Sequence, residues 1–134
     1  MGVRHDLEEN FDYEIVDEFL DHYSTMVDVM ETLIVGLSQQ EQYEKNINEL
    51  FRIMHNIKSA SGFLKISVMN RFSMMVEDSL EFMRTTVGPA REETINWLLL
   101  CHDQFERWND NLKNDTKLDK LNFKLMNIPE AENI

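Results

Sequence analysis

Phe11, Ile15, Phe19, Tyr23, Met26, Met30, Leu33 and Leu37 fall at steps of three and four. That period draws one apolar stripe along a helix and does not suit a strand, whose faces alternate every second residue. It predicts a helix over about residues 9–37. The opposite face carries Asp12, Glu14, Asp17, Glu18, Asp21, Asp28 and Glu31, a charged surface expected to face water. Ile47, Leu50, Met54, Ile57, Ser61 and Leu64 repeat the pattern in a second helix, which Ser38 and Glu41 are spaced to open as a capping box. Val68, Phe72, Met75 with Val76, Ser79 with Leu80, and Met83 mark a third, with Ser67 placed to cap it. Gly88 and Pro89 break the chain. Pro89 suits the first turn of a fourth helix, Glu92 and Glu93 complement its dipole, and Ile95, Leu98, Cys101 with His102, Phe105, Trp108 and Leu112 supply its stripe.

Four such helices with short connections imply an all-α fold, an antiparallel up-down four-helix bundle over residues 9–113. Only 4 Gly and 2 Pro among 134 residues are too few for the many tight turns of a β-sandwich. The chain is long enough for one domain with a buried core. Beyond it, residues 114–134 form a short amphipathic C-terminal extension. There Lys113, Lys117, Lys120 and Lys124 alternate with Leu118, Leu121 and Leu125, a candidate fifth helix, and a polar tail starts at Pro129.

Charge narrows the partners. Lys and Arg number 13 against 25 Asp and Glu, a net −12 that repels nucleic-acid backbones and anionic membrane surfaces. No apolar run approaches the roughly 18 residues of a membrane span. Cys101 is the single cysteine and has no disulfide partner, and no secretory leader pattern opens the chain. A cytoplasmic, monomeric acidic bundle is expected.

The chemistry concentrates in His55-Asn56-Ile57-Lys58-Ser59-Ala60-Ser61-Gly62-Phe63-Leu64. At 100° per residue, Lys58, Ser59 and Gly62 lie within about 60°, 40° and 20° of His55 around the helix axis. They share one surface. The buried seam passes through Met54, Ile57 and Ser61, so His55 sits on its flank. Gly62 costs about 1 kcal/mol relative to alanine inside a helix, and close approach by another molecule is a candidate reason for it. An imidazole supplies a nucleophilic nitrogen and a neighbouring ammonium offsets phosphate charge, which together suit a phosphoryl site. Spacing alone leaves a second reading open, a partly buried histidine beside an unrelated surface lysine.

The stretch resembles the histidine-containing phosphotransfer (HPt) domains of two-component signalling, including the N-terminal phosphotransfer domain of chemotaxis sensor kinases. The likeness runs over about residues 11–112. His55, Lys58, Ser59, Gly62 and Leu64 stand in the places of that family's His-x-x-Lys-Gly motif, its small or glycine position and its Leu-Gly ending. Ser73 to Glu81 resembles the third-helix segment whose glutamate bonds the histidine, which places Glu77 as the partner. Ser59 replaces the commoner glycine, Lys65 replaces the glycine that often ends the helix, and Met74 stands where chemotaxis domains carry a second histidine.

The resemblance implies a relay protein that carries a phosphoryl group on His55 between a sensor histidine kinase or receiver-domain aspartate and a response regulator. Glu77 is implied as the acceptor for Nδ1–H and Lys58 as the counter-charge. Ser59, Gly62, Phe51 and Phe63 are implied as the docking surface, with Phe19 or His22 beside it. Phe51 and Phe63 read equally as plain core residues. No cofactor of the chain's own is expected: the receiver domain supplies Mg²⁺, and no Gly-rich phosphate loop is present. Two other readings compete. One is an HPt-like scaffold that binds such partners without accepting phosphate. The other is a di-metal bundle, for which His102, Glu106, His22 and His55 are candidate ligands but the Glu-x-x-His pairs are missing.

Overall fold

The computed structural model describes residues 1–129. Helix α1 (Val3–Asn10) leads into α2 (Tyr13–Val35), α3 (Gln40–Phe63), α4 (Ser67–Met83) and α5 (Glu92–Asn114). Short 3-10 turns occupy Gly36–Ser38 and Phe123–Met126, and the described residues contain no strand. Helices α2 to α5 make the expected antiparallel bundle. Cross-helix bonds fix the directions: Tyr23 and Asn109 tie α2 to α5, while Asn70 and Glu77 tie α4 to α3.

The core is the sum of the four stripes. Tyr23, Met30, Ile34, Ile47, Leu50, Ile57, Met69, Leu80, Met83, Phe105 and Trp108 are fully buried. Each such side chain contributes about 1.5–3 kcal/mol by leaving water. Met26 and Met54 are buried and Met75 half-buried, so the methionines fill the core. Phe72, Phe105 and Trp108 stack tilted or edge-on at 5.1 to 5.8 Å between centroids and join α4 to α5. Cys101 is buried in this core, and burial pushes its thiol pKa well up, which makes it inert.

Helix boundaries differ from the periodicity in four places. The stripe over residues 9–37 breaks at Phe11, whose backbone is extended (φ −136°, ψ 154°), and α2 starts afresh after it. Phe11 still packs against the core, so apolar spacing runs across the break unmarked. Ile15 is turned outward and Val16 takes the core position. Ser38 forms no capping box: its hydroxyl donates back to the Val35 carbonyl at 3.1 Å, inside the 3-10 turn. Ser67 is the first residue of α4, and Ile66 holds the cap position without a side-chain bond. Pro89 lies ahead of α5, where the Ala90 amide donates to the Leu37 carbonyl at 2.9 Å and ties this connection to the α2–α3 turn.

The C-terminal stretch is not a fifth helix. Apart from the single 3-10 turn at Phe123–Met126, residues 115–125 run back along α5 and bond to its side chains. Trp108 Nε1 donates to the Asp119 carbonyl at 2.9 Å, the Asn122 amide to Gln104 Oε1 at 2.9 Å, and Trp97 Nε1 to the Leu125 carbonyl at 3.0 Å. Leu125 is fully buried, while Leu118 and Leu121 pack half-buried against the core. The α5–extension turn also receives α1: the Val3 amide donates to the Thr116 carbonyl and the His5 amide to Asp115 Oδ1, both at 3.0 Å. A Cβ at Gly2 would fall 2.2 Å from the Asp115 carbonyl oxygen, so only glycine fits this junction. The polar tail expected from Pro129 onward falls mainly on residues 130–134, which lie outside the described residues.

One hairpin positions the chemistry. At the end of α3 the Ile66 amide donates to the Ser61 carbonyl (2.9 Å) and the Lys65 amide to the Gly62 carbonyl (3.2 Å), the paired bonds of a Schellman cap. Lys65 holds the left-handed position (φ 59°) where glycine usually sits. The side chain accepts a steric cost of about 1 kcal/mol there, and the turn keeps its geometry.

Candidate functional site

His55 projects from the middle of α3, one residue past buried Met54 and two before buried Ile57. Seam residues fix the backbone while the imidazole itself stays 55% exposed. On the facing helix, Glu77 follows buried Val76 and turns inward, leaving its side chain only 9% exposed. Its two oxygens are both occupied. His55 Nδ1 donates to Oε2 at 2.9 Å and Lys58 Nζ donates to Oε1 at 2.6 Å.

Burial by itself would raise the Glu77 pKa. Hydrogen bonds from Lys58 and then His55, with the charges of both, outweigh it and hold the carboxyl below the usual carboxylate range. Glu77 is therefore ionised and can only accept. That selects the tautomer: in the neutral ring Nδ1 carries the proton and the lone pair sits on Nε2, on a half-exposed side chain. The arrangement can place a nucleophilic nitrogen at the surface and absorb positive charge developing on the ring from behind.

The structure brings His55, Lys58 and Glu77 together. The surrounding residues are less uniform. Ser59 and Gly62 are exposed on the same face of α3. Phe63 is 61% exposed and leans on Phe11, ring centroids 5.6 Å apart. Phe51 is half-buried beneath the Arg84 guanidinium, 4.4 Å from the ring centroid, so it packs as much as it displays. Phe19 is buried and His22 exposed; with Met26, Ala60 and Phe63 they line a shallow groove between α2 and the end of α3. Met74 is exposed on α4 and adds no third bond to Glu77.

Gly62 has a neighbour that spacing did not reveal. Asn70, on the first turns of α4, donates from Nδ2 to the Lys58 carbonyl at 2.8 Å, and a Cβ at position 62 would sit 3.0 Å from that nitrogen. The close approach expected from another molecule is made instead by a side chain of this chain. An asparagine bonding a backbone carbonyl twelve residues back leaves no spacing signal, and the cost of a mid-helix glycine was the one hint.

A di-metal bundle is not assembled. Among the described residues the one cluster of three ligand-type side chains is His102, Asp103 and Glu106, all on one turn of α5, with Asp103 and Glu106 exposed. A di-metal site needs inward carboxylates from several helices. His102 is instead a structural histidine: it is buried, and its Nε2 donates to the Val27 carbonyl at 3.2 Å.

The family model of the Hpt domain matches residues 14–114. The chain belongs to the Hpt domain family. Hpt domains are the histidine-phosphotransfer modules of two-component signalling, and the matched span takes in α2 to α5 with His55, Lys58 and Glu77 inside it. The chain is also similar to the "Chemotaxis protein CheA" of Borreliella burgdorferi (strain ATCC 35210 / DSM 4680 / CIP 102532 / B31), 29% identical over 90 residues. That match covers 67% of this chain and 10% of the relative, so the chain spans about a tenth of the curated relative's length. No solved structure matches it significantly. No helix among the described residues is long and apolar enough to cross a membrane.

Proposed function

We propose that this Hpt protein carries a phosphoryl group on Nε2 of His55, passing it between a receiver-domain aspartate, or a sensor histidine kinase, and a response regulator. The observation that supports this most is the pair of bonds on Glu77, because a carboxylate accepting from Nδ1 puts the lone pair of the neutral ring on Nε2, on a side chain that is half exposed. Nε2 attacks the phosphorus of a phospho-aspartate; the P–N bond forms as the P–O bond to the aspartyl carboxyl breaks, and the aspartate leaves as a carboxylate. The Nδ1 proton stays in place. Glu77 stabilises the positive ring that results, and Lys58, bonded to the same carboxylate, is the cation that offsets phosphate charge. Transfer to the next aspartate is the same step reversed.

The receiver domain brings the Mg²⁺ and its own acidic pocket, and the chain acts as a relay intermediate with no nucleotide site of its own. Docking uses Ser59, Gly62 and Phe63, with part of Phe51. The small residues leave room above His55 and the exposed ring gives an apolar anchor. The test incubates wild type and His55→Gln with a phosphorylated receiver domain and Mg²⁺ and follows acid-labile, base-stable phosphate on this chain. Label on wild type and none on the variant is expected. Binding of the receiver without any label on wild type supports the scaffold reading instead.

A further inference from the structure

Polar side-chain bonds cross from α3 to α4 or its end at three levels. Arg84 reaches Asn48 and Tyr43 reaches the Met83 carbonyl at the far end, His55 and Lys58 meet Glu77 midway, and Asn70 meets Lys58 beside the turn. Lys58 is tied twice, its ammonium to Glu77 and its carbonyl to Asn70. Asn70 and Glu77 are seven residues apart, two turns along one face of α4, so both reach toward the same turn of α3. The Lys58 carbonyl also accepts from the Ser61 hydroxyl at 3.2 Å, which makes it a crowded anchor point.

That anchor encloses the turn in which Lys65 occupies a left-handed conformation disfavoured for a residue with a side chain. A hairpin whose turn is poorly preorganised needs another tie to hold the register of its arms. Gly62 provides the seat, because any Cβ there would press on Asn70 Nδ2 at 3.0 Å.

From this geometry we infer that Asn70, seated over Gly62, is a positioning residue that sets the α3–α4 register at which one Glu77 carboxylate reaches both His55 Nδ1 and Lys58 Nζ. The consequence for phosphotransfer rests on the function proposed above. The consequence for the imidazole does not.

The experiment takes wild type, Asn70→Ala, Gly62→Ala and the double variant. It records the ¹⁵N shifts of the His55 ring in the unphosphorylated protein, the thermal midpoint, and the rate of labelling from a phosphorylated receiver domain. Wild type is expected to show one tautomer protonated at Nδ1. Asn70→Ala is expected to shift the ring toward a mixture of tautomers and to slow labelling about tenfold, the size of one lost hydrogen bond. Gly62→Ala is expected to shift the ring in the same way in the wild-type background and to add little to that shift in the Asn70→Ala background, since its clash partner is then gone. A lowered midpoint in Asn70→Ala with unchanged His55 shifts overturns the inference and leaves Asn70 a purely structural residue. Equal effects of Gly62→Ala on the ring shifts in both backgrounds overturn the seat. If Asn70→Ala does not fold, Asn70→Asp, which keeps the shape and removes the donor, is read in its place by the same criteria. Failure of wild type to take label contradicts the proposed function and leaves the ring shifts to decide the inference.

Discussion

Two histidines, one in each helix pair of the bundle, show how the same side chain serves different ends. In the α2–α5 pair, His102 is 7% exposed on its side chain and Nε2 donates to a main-chain carbonyl of the neighbouring helix. Tyr23 does the same nearby, its fully buried hydroxyl donating to the Phe105 carbonyl at 2.7 Å. These polar tips satisfy backbone acceptors, and the result is a rigid wall. In the α3–α4 pair, His55 is mostly outside, and its partner is an ionised side chain that is itself held by a lysine. There the protein fixes one nitrogen to leave the other free. Burial and the nature of the acceptor separate a histidine that holds the fold from one that can do chemistry.

The largest expected contrast lies between the two rings. His102→Ala is expected to keep full phosphate acceptance per folded molecule while losing about 1–3 kcal/mol of stability, as a buried hydrogen-bonded group is removed. His55→Gln is expected to lose acceptance entirely with little change in its unfolding midpoint. Parallel urea melts and labelling assays check both, and a His102 variant that folds but takes no label would break the comparison. Next in size, Trp108→Ala removes the ring that joins α4, α5 and the C-terminal extension. A loss of about 3–5 kcal/mol is expected in denaturant unfolding, with the ¹⁵N signature of His55 preserved below the transition.

How far the sequence shows these two regions depends on what each is made of. Four stripes at helical period were enough to place α2 to α5, because burial of one face is what the period encodes. Helix ends were less legible. Ser38, Ser67 and Pro89 are all residues that favour starts, yet α3 and α5 begin two and three residues after Ser38 and Pro89, where backbone ties such as Ala90 to Leu37 decide, and α4 begins on Ser67 itself. The alternating lysines and leucines after Lys113 suit a helix equally well. They form no α-helix because Trp97, Gln104 and Trp108 offer side-chain partners to the backbone, and only Phe123–Met126 winds a 3-10 turn. Glu77 was placed opposite His55 through a family likeness and not through spacing, since nothing in a linear pattern sets the register between two helices.

A charge on one side of the comparison sharpens it further. Glu77→Gln keeps the shape but loses the ionised acceptor, and a charge-assisted bond of about 1.5–3 kcal/mol corresponds to a labelling rate lower by about 10- to 100-fold. Acid gives the sign for stability. The Glu77 carboxyl is held below its ordinary value in the folded protein. Its contribution is therefore complete above the unfolded pKa of about 4.3 and is lost as pH falls through the lower folded value. Urea midpoints of wild type and Glu77→Gln are expected to converge as pH is lowered through that window, and a constant gap would contradict the ionised pair.

The smallest effect belongs to the turn. Lys65→Gly is expected to stabilise the protein by up to about 1 kcal/mol, since glycine adopts the left-handed conformation without the steric cost. A raised urea midpoint with unchanged labelling checks it.

The most direct test of the account is the position of the phosphoryl group on the ring. Wild-type protein labelled with ¹⁵N at histidine and phosphorylated by a receiver domain is examined by ¹⁵N and ³¹P NMR. The account predicts phosphorus bonded to Nε2 of His55 with Nδ1 still protonated toward Glu77. Phosphorus on Nδ1, or on any other histidine, contradicts it.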